Sequence, residues 1–232
     1  MRVGGFQKLT LVDYPGKVAA TVFTQGCNFR CGFCHNPELV CPERFQLTIS
    51  TKEVLDYLKT RQGKLEGVVI TGGEPTLQKG LADFIISVRQ LGFSVKLDTN
   101  GSRPEVLCDL IGLQLIDYIA MDVKTSLEKY SQVTNCSCDT DKIRESISLI
   151  INSGLPYQFR TTLVKEFCRQ EDLFEIQKLI GPSSHYVLQP FIFSPKMVGH
   201  NLFGRPQYTN VEIEILKTEF NRLPKNNLAF SF

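Results

Sequence analysis

Apolar runs alternate with helical periodicities along most of the chain. Val18–Thr24 is an apolar, β-branched run bounded by turn residues, which predicts a buried strand. Thr51–Arg61 carries apolar residues at helical spacing, and Gly67–Thr71 predicts the next strand. The same alternation continues with helix Gln78–Leu91, strand Ser94–Asp98, helix Pro104–Ile111, strand Tyr118–Val123, helix Asp139–Ile151, strand Tyr157–Leu163, helix Glu171–Ile180, strand Tyr186–Phe191 and helix Thr209–Arg222.

About six strands joined by helical crossovers predict a parallel sheet covered by helices. The expected fold class is therefore α/β, an open, partial parallel (β/α)6 barrel with its helices outside. We expect residues 1–232 to form a single domain, with a core at about 18–193, an N-terminal β extension at 1–17 and a C-terminal helical segment at 194–232. Ligands of such sheets bind on loops at the carboxyl ends of the strands.

Composition narrows the classes of function. Hydrophobic residues make up 42% of the chain, which is ample for one core, and 26 basic against 24 acidic residues leave a net charge of +2. No basic run favours nucleic acid, and no apolar run approaches the roughly 18 residues of a membrane span. We expect a cytoplasmic protein without a membrane partner. In that reducing compartment, clustered cysteines favour metal ligation over disulfides.

Three cysteines stand in one loop directly after the first main strand. Cys27, Cys31 and Cys34 are separated by three and two residues. Three thiolates can hold three irons of a 4Fe-4S cluster and leave the fourth iron open, where S-adenosylmethionine would bind through its amino and carboxylate groups. The alternative is a structural zinc site with His35 or Cys41 as the fourth ligand.

Polar and glycine residues follow the next two strands. Gly72 and Gly73, followed by Glu74, allow backbone to approach a ligand, although the same residues could form only a tight turn. Asp98 and Asn100 end the third strand, where Asn100 could also serve as a turn residue.

Charged residues mark the later strands. Asp122 and Lys124 lie two positions apart and so point to one side, which could also be a surface ion pair. Arg160 lies inside an apolar strand, so an inward side chain would need an anionic partner such as a cofactor carboxylate; an outward, solvated side chain is the alternative. Gln189 is a weaker candidate of the same kind.

The cysteine spacing, with Phe33 directly before Cys34, resembles the signature of the radical S-adenosylmethionine (radical SAM) superfamily. That resemblance implies a partial barrel of the radical SAM type, a 4Fe-4S cluster with three cysteine ligands, and S-adenosylmethionine. It also implies that the Gly72–Glu74 segment receives the methionine amino group, and that Asp98 and Asn100 lie against the methionine carboxylate or the ribose.

Two further stretches resemble glycyl-radical-enzyme activases. Asp122 and Lys124 match an Asp-x-Lys motif placed between cofactor and peptide substrate, and residues 9–17, 23–31 and 34–37 look like the longer activating proteins of anaerobic ribonucleoside-triphosphate reductase. The implied activity is that of an oxidoreductase, which cleaves S-adenosylmethionine to a 5'-deoxyadenosyl radical and generates a glycyl radical on that reductase. Flavodoxin or ferredoxin would donate the electron, and no protein residue beyond cluster and cofactor need act as acid or base.

Two other functions stay open. One is a radical SAM enzyme acting on a small molecule, such as 7-carboxy-7-deazaguanine synthase, although its expected Gln-Gly-Glu-Gly stretch is missing here. The other is a non-catalytic metal-binding protein. Outside the loop, Cys136 and Cys138 are interpreted as free thiols, and Cys108 and Cys168 as small buried hydrophobic residues.

Overall fold

Seven strands form one sheet whose spatial order follows the chain. The computed structural model describes residues 1–199 and 202–222, so residues 200, 201 and 223–232 of the predicted C-terminal segment lie outside the described part. The strands are β1 (Val3–Thr10), β2 (Ala19–Thr24), β3 (Gly67–Gly72), β4 (Ser94–Thr99), β5 (Tyr118–Asp122), β6 (Tyr157–Leu163) and β7 (Tyr186–Pro190).

Helices occupy the connections between the parallel strands. They are α1 (Pro37–Val40), α2 (Thr51–Lys59), α3 (Leu81–Gln90), α4 (Pro104–Gly112), α5 (Tyr130–Thr134), α6 (Thr140–Asn152), α7 (Gln170–Ile180) and α8 (Asn210–Arg222), with 3₁₀ turns at Pro42–Arg44, Pro75–Leu77 and Leu127–Lys129. In the described ranges, no helix is both long enough and apolar enough to cross a bilayer.

The six parallel strands expected from the sequence are present. Strands β2 to β7 pair in parallel, and β1 adds an antiparallel strand at the edge beside β2. No strand pairing in the described ranges joins β7 to β1, so the barrel is open, as predicted. Strands β2, β3, β4 and β5 are almost wholly buried, because helices and neighbouring side chains cover both of their faces.

Strand register brings the functional segments to one edge of the sheet. Thr24, the last residue of β2, pairs with Gly72 at the end of β3. Asp122 at the end of β5 pairs with Arg160 of β6. Loops that are far apart in sequence therefore begin side by side at the carboxyl edge.

Three local features differ from the sequence-based expectations. The predicted helix Gln78–Leu91 begins later, at Leu81, because Gly80 has a φ of 76° and interrupts the helical backbone. Helices α1 and α5 were not expected. Cys108 is exposed rather than buried, since it follows the buried Leu107 by one position and faces away from the core.

Candidate functional site

A cavity of about 420 Å³ opens at the carboxyl ends of the strands. The candidate motifs were expected at the carboxyl ends of the strands, and the structure brings all of their residues to this cavity. The candidates on its wall are Cys27, Cys31, Phe33, Cys34, Gly72, Gly73, Glu74, Asp98, Asn100, Asp122, Lys124, Arg160 and Gln189.

The three loop cysteines differ in exposure but share one chemical environment. Cys31 is buried, while Cys27 and Cys34 are partly exposed. Burial raises the pKa of Cys27 to about 12, helped by the negative charge of Glu74. Burial likewise raises the pKa of Cys31 to about 11 and raises that of Cys34, with Lys124 opposing the shift at both thiols. The thiolate forms therefore need a strongly positive partner, as a metal centre provides.

The donor set suits an iron–sulfur cluster. Three thiols from one loop face the same cavity, and soft thiolate ligands favour such clusters. In the described ranges, no three His, Cys, Asp or Glu side chains are grouped so as to hold a single metal ion. His35, one alternative zinc ligand, has its Nε2 atom 2.7 Å from the Ile192 carbonyl oxygen, and Cys41, the other, is buried.

Main-chain and side-chain hydrogen bonds of Arg30 hold the cysteine loop. The Arg30 backbone N–H donates to the Thr134 carbonyl oxygen at 2.8 Å. The Arg30 Nη1 atom donates to the carbonyl oxygens of Cys27, at 2.7 Å, and Phe29, at 2.8 Å. One arginine therefore fixes the curvature of the loop between its first two thiols.

The segment after β7 holds the other end of the loop. The Val198 backbone N–H donates to the Cys34 carbonyl oxygen at 3.0 Å, and the Gly199 N–H donates to the Gly32 carbonyl oxygen at 2.9 Å. The loop is thus fixed by chain segments more than 150 positions apart in the sequence.

Glycines 72 and 73 are required by close backbone packing. An added Cβ at Gly73 would lie 2.1 Å from the Gly26 carbonyl oxygen, and one at Gly72, whose φ is +113°, would lie 2.4 Å from the Thr24 nitrogen. The Gly73 and Glu74 N–H groups donate to the carbonyl oxygens of Thr24 and Gly26, each at 2.8 Å. The end of β3 therefore lies directly on the first residues of the cysteine loop.

Glu74 clamps the ends of β3 and β4 together. Its fully buried carboxylate accepts from the Thr76 N–H at 3.0 Å, the Thr76 hydroxyl at 2.5 Å, the Thr99 hydroxyl at 2.8 Å and the Asn100 N–H at 2.6 Å. Burial raises its pKa, and these hydrogen bonds act in the opposite direction. The Glu74 side chain thus acts on the cavity through the residues that it positions.

Asn100 connects the end of β4 to the cysteine loop. Its Nδ2 atom donates to Asn28 Oδ1 at 2.9 Å and lies 3.9 Å from the Cys27 Sγ atom. Asn28 in turn donates to the Ser102 hydroxyl at 2.9 Å. Asn28 was missed by the sequence analysis, because nothing in its sequence position distinguishes it from any other polar loop residue.

Five charged side chains form a continuous ion network across β4, β6 and β5. Lys96 contacts Asp98, and Asp98 accepts from Arg160 Nη1 at 3.1 Å. Arg160 Nε donates to Asp122 at 2.7 Å, and Lys124 donates to the other Asp122 oxygen at 2.9 Å. Three cations face two carboxylates, so the network carries one excess positive charge beside the cavity. That excess suits an anionic group on a ligand.

Arg160 points inward, but its anionic partners belong to the protein. The sequence analysis suggested a cofactor carboxylate as partner, whereas Asp98 and Asp122 both bind the guanidinium. Burial opposes the charged form of Arg160, yet these carboxylates raise its pKa. Burial would raise the pKa of Asp122, but Arg160 and Lys124 outweigh it and hold that pKa well below its usual range. Burial would lower the pKa of Lys124, which Asp122 instead raises.

Lys96 is a second residue that the sequence analysis missed. Its side chain is 1% exposed, and its Nζ atom lies 5.9 Å from the centre of the Tyr118 ring. Lys96 interrupts an apolar strand two positions before Asp98, so both side chains point to the same face. The reasoning applied to Arg160 would have found it.

Of the two remaining candidates on the cavity wall, one is buried and the other is exposed. Phe33 is 7% exposed and packs on Phe167, with 6.3 Å between ring centres. Gln189 is exposed at the end of β7. Outside the loop, Cys136 and Cys138 are partly exposed and form no disulfide in the described ranges, and Cys168 is fully buried, as interpreted from the sequence.

Comparisons with known proteins identify the family of this chain. The Radical SAM superfamily matches residues 21–175. A protein of Methanocaldococcus jannaschii, named as a glycyl-radical enzyme activating enzyme, is 36% identical over 200 residues, which cover 82% of this chain and 79% of that protein. The pyruvate formate-lyase-activating enzyme of Streptococcus mutans is 30% identical over 185 residues, covering 73% of this chain and 68% of that enzyme.

A solved structure shows the same fold. Streptococcus suis SuiB bound to S-adenosylmethionine superposes with a TM-score of 0.63 at 15% identity, over 86% of this chain. The match covers 47% of the SuiB chain, so this chain spans about half the length of that neighbour.

Proposed function

This chain belongs to the radical SAM superfamily and, within it, to the glycyl-radical enzyme activating enzymes, and from that premise we propose that its partner is anaerobic ribonucleoside-triphosphate reductase. Its cofactors are the 4Fe-4S cluster and S-adenosylmethionine of that superfamily. When bound, they supply a 5'-deoxyadenosyl radical, produced by one-electron cleavage of S-adenosylmethionine, which removes a hydrogen atom from a glycine of the partner.

The observation that carries the proposal is the meeting of three loop thiols and a positive ion network at one cavity. Cys27, Cys31 and Cys34 would hold the cluster, each through its thiolate. The cavity of about 420 Å³ lies in the range of about 300–1,000 Å³ that is typical of small-molecule sites.

Other wall residues would orient S-adenosylmethionine. The backbone of Gly72 to Glu74, which lines the cavity, would receive the methionine amino group, since Glu74 and the packing of Gly73 fix that backbone. Asp98 and Asn100 would lie against the methionine carboxylate or the ribose. Catalysis by this chain is then chiefly positioning, and no side chain has to act as acid or base.

Asp122 and Lys124 lie between the cofactor side and the cavity mouth in this proposal. Their ion pair is partly exposed, with 32% and 17% of the two side chains accessible. Ile192 and Gln189 form part of the outer rim. A glycine loop of the partner would close this mouth and exclude water and competing hydrogen donors from the radical.

The resemblance of residues 9–17, 23–31 and 34–37 supports anaerobic ribonucleoside-triphosphate reductase as the partner. Flavodoxin or ferredoxin is proposed as the electron donor, because reduction of such a cluster needs a donor of low potential.

The decisive experiment combines anaerobically loaded protein, S-adenosylmethionine, reduced flavodoxin and the reductase, and records the glycyl radical by electron paramagnetic resonance. We expect the glycine doublet on the reductase, and none with Cys31→Ala. A parallel sample with pyruvate formate-lyase tests the choice of partner. A doublet on that enzyme alone would overturn the reductase assignment. S-adenosylmethionine cleavage with no doublet on either protein would favour a small-molecule substrate.

A further inference from the structure

A second cavity lies on the other side of the cysteine loop. It has a volume of about 520 Å³ and is lined by the N-terminal residues, the loop around Pro42 and the turn before α3. Its charged wall residues are all cationic: Arg2, Arg30 and Lys79. We name this cavity the basic groove.

Cys27 connects the basic groove to the proposed active site, because it lines both cavities. Its side chain is partly exposed, and Arg30 holds its carbonyl oxygen from the groove side at 2.7 Å. A group bound to the Cys27 thiolate is therefore separated from the groove by a single side chain.

The proposed reaction favours a second approach to the metal site. S-adenosylmethionine and the partner's glycine loop would fill the first cavity and its mouth. An electron donor arriving by the same route would have to compete with both. The basic groove leaves the donor and the glycyl radical enzyme on different faces of the loop.

Charge and shape indicate the kind of protein that fits. Arg2 and Lys79 are exposed, and Lys79 takes part in no ion pair in the described ranges. Phe45 and Leu77 add apolar area, and the Arg2 guanidinium lies 5.0 Å from the centre of the Phe45 ring. A cationic rim around an apolar patch favours a partner with acidic groups around its redox centre.

We propose that the basic groove docks a small acidic electron-transfer protein of the flavodoxin or ferredoxin type, which delivers its electron past Cys27. This inference rests on the proposed function. In the step, the carrier loses one electron and the metal site gains one. An anionic flavin hydroquinone would become the neutral semiquinone, and a reduced iron–sulfur carrier would become oxidised, so neither carrier would release a proton.

The test reverses one charge in the groove and one far from it. Lys79→Glu places a negative charge on the rim and changes no residue assigned to the active site. Lys64→Glu is the matched control, because Lys64 is exposed just before β3, at the opposite end of the strands. Both substitutions change the net charge of +2 by the same amount.

Each variant is compared with the unsubstituted protein in three measurements. The first is the Kd for oxidised flavodoxin, and in a second arm ferredoxin, at low salt. The second is the rate of reduction by the reduced carrier in a stopped-flow instrument. The third is 5'-deoxyadenosine formation with dithionite, which needs no docking.

We expect Lys79→Glu to weaken binding and slow carrier-driven reduction by about tenfold, with a flatter salt dependence, while dithionite-driven cleavage is unchanged. Lys64→Glu should behave like the unsubstituted protein. Equal effects of the two variants on binding, or no effect of Lys79→Glu, would overturn the groove assignment. Absence of cleavage with dithionite in the unsubstituted protein would instead contradict the proposed function, and the binding data would still decide the groove.

Discussion

Among single residues, the buried charges of the ion network set the character of the cavity. Removing an ion from water costs several kcal/mol, and only good pairing offsets that cost. Lys96, at 1% exposure, supplies such pairing to Asp98 from below, while Arg160 binds Asp98 from the side. Lys96 therefore helps to hold the Asp98 side chain in place at the cavity wall.

Lys96→Met keeps the length of the side chain but removes its charge. Because Asp98 then retains Arg160 as its cation, we expect a loss of about 3 kcal/mol in the free energy of unfolding. The double variant Lys96→Met, Asp98→Asn removes both charges and should recover about half of that loss. Urea unfolding of the metal-free protein measures both values. A loss under about 1 kcal/mol, or no recovery in the double variant, would show that the Lys96–Asp98 contact is not a coupled ion pair.

Asp122 gives a prediction about pH. Arg160 and Lys124 outweigh burial and hold its pKa below the unfolded value of about 3.9. A depressed pKa stabilises the fold fully above the unfolded pKa, and this stabilisation is lost as the pH falls through the folded pKa. The difference in unfolding free energy between the unsubstituted protein and Asp122→Asn should be constant from about pH 5 to 8 and shrink below about pH 4.

Urea titrations of the reduced, metal-free protein at several pH values measure this difference. A difference that already declines near pH 6 would indicate a normal or raised pKa for Asp122. A difference that stays constant down to about pH 2 would also be inconsistent with titration of this carboxylate.

Functional residues could be predicted from the sequence where a motif, or a residue unusual for its surroundings, marked them. The cysteine spacing and the arginine inside an apolar strand both led to residues on the cavity wall. The partners of Arg160 were not accessible, because they depend on the register that places Asp122 opposite Arg160 and Asp98 one strand further away. Asn28 was inaccessible for the same reason, since only folding brings it to Asn100.

Among structural elements, the junction between β3 and the cysteine loop is closely packed beside the cavity. The sequence suggested that its glycines make room for a ligand. In the structure, the missing Cβ of Gly73 makes room for the Gly26 carbonyl oxygen, 2.1 Å from the Cβ position. That distance depends on how two loops meet, which no local pattern encodes.

Gly73→Ala should therefore push the loop away from β3, costing about 2 kcal/mol of unfolding free energy and lowering the iron content after reconstitution. The control is Gly112→Ala at the end of α4, where an added Cβ has nothing within 4 Å and should stabilise by up to about 1 kcal/mol. Urea unfolding and iron analysis measure the two effects. If both variants lose similar stability and iron, the packing at Gly73 is not what holds the loop.

The regular elements themselves were well predicted, because strands buried on both faces form continuous apolar runs and amphipathic helices show their period. Helices α1 and α5 have four and five residues, too few to display a helical period. Helix α3 begins later than predicted because Gly80 has a positive φ. In the sequence, a glycine at this position is equally compatible with the interior of a helix.

On the scale of the whole molecule, the cysteine loop lies between two cavities. The cavity at the strand ends lies on one side, and the basic groove lies on the other. The segment after β7 holds the loop through Val198 and Gly199. With the proposed assignments, the glycyl radical enzyme and the electron donor would bind at the same time without sharing a surface.

The most direct measurement of the central claim is the yield of 5'-deoxyadenosine from anaerobically reconstituted protein with dithionite and S-adenosylmethionine. The three-cysteine site predicts cleavage by the unsubstituted protein and by Cys41→Ser, and none by Cys31→Ala. A loaded protein that yields no 5'-deoxyadenosine, or a Cys41→Ser variant that can no longer hold its iron, would contradict a cluster bound by three cysteines with one open iron.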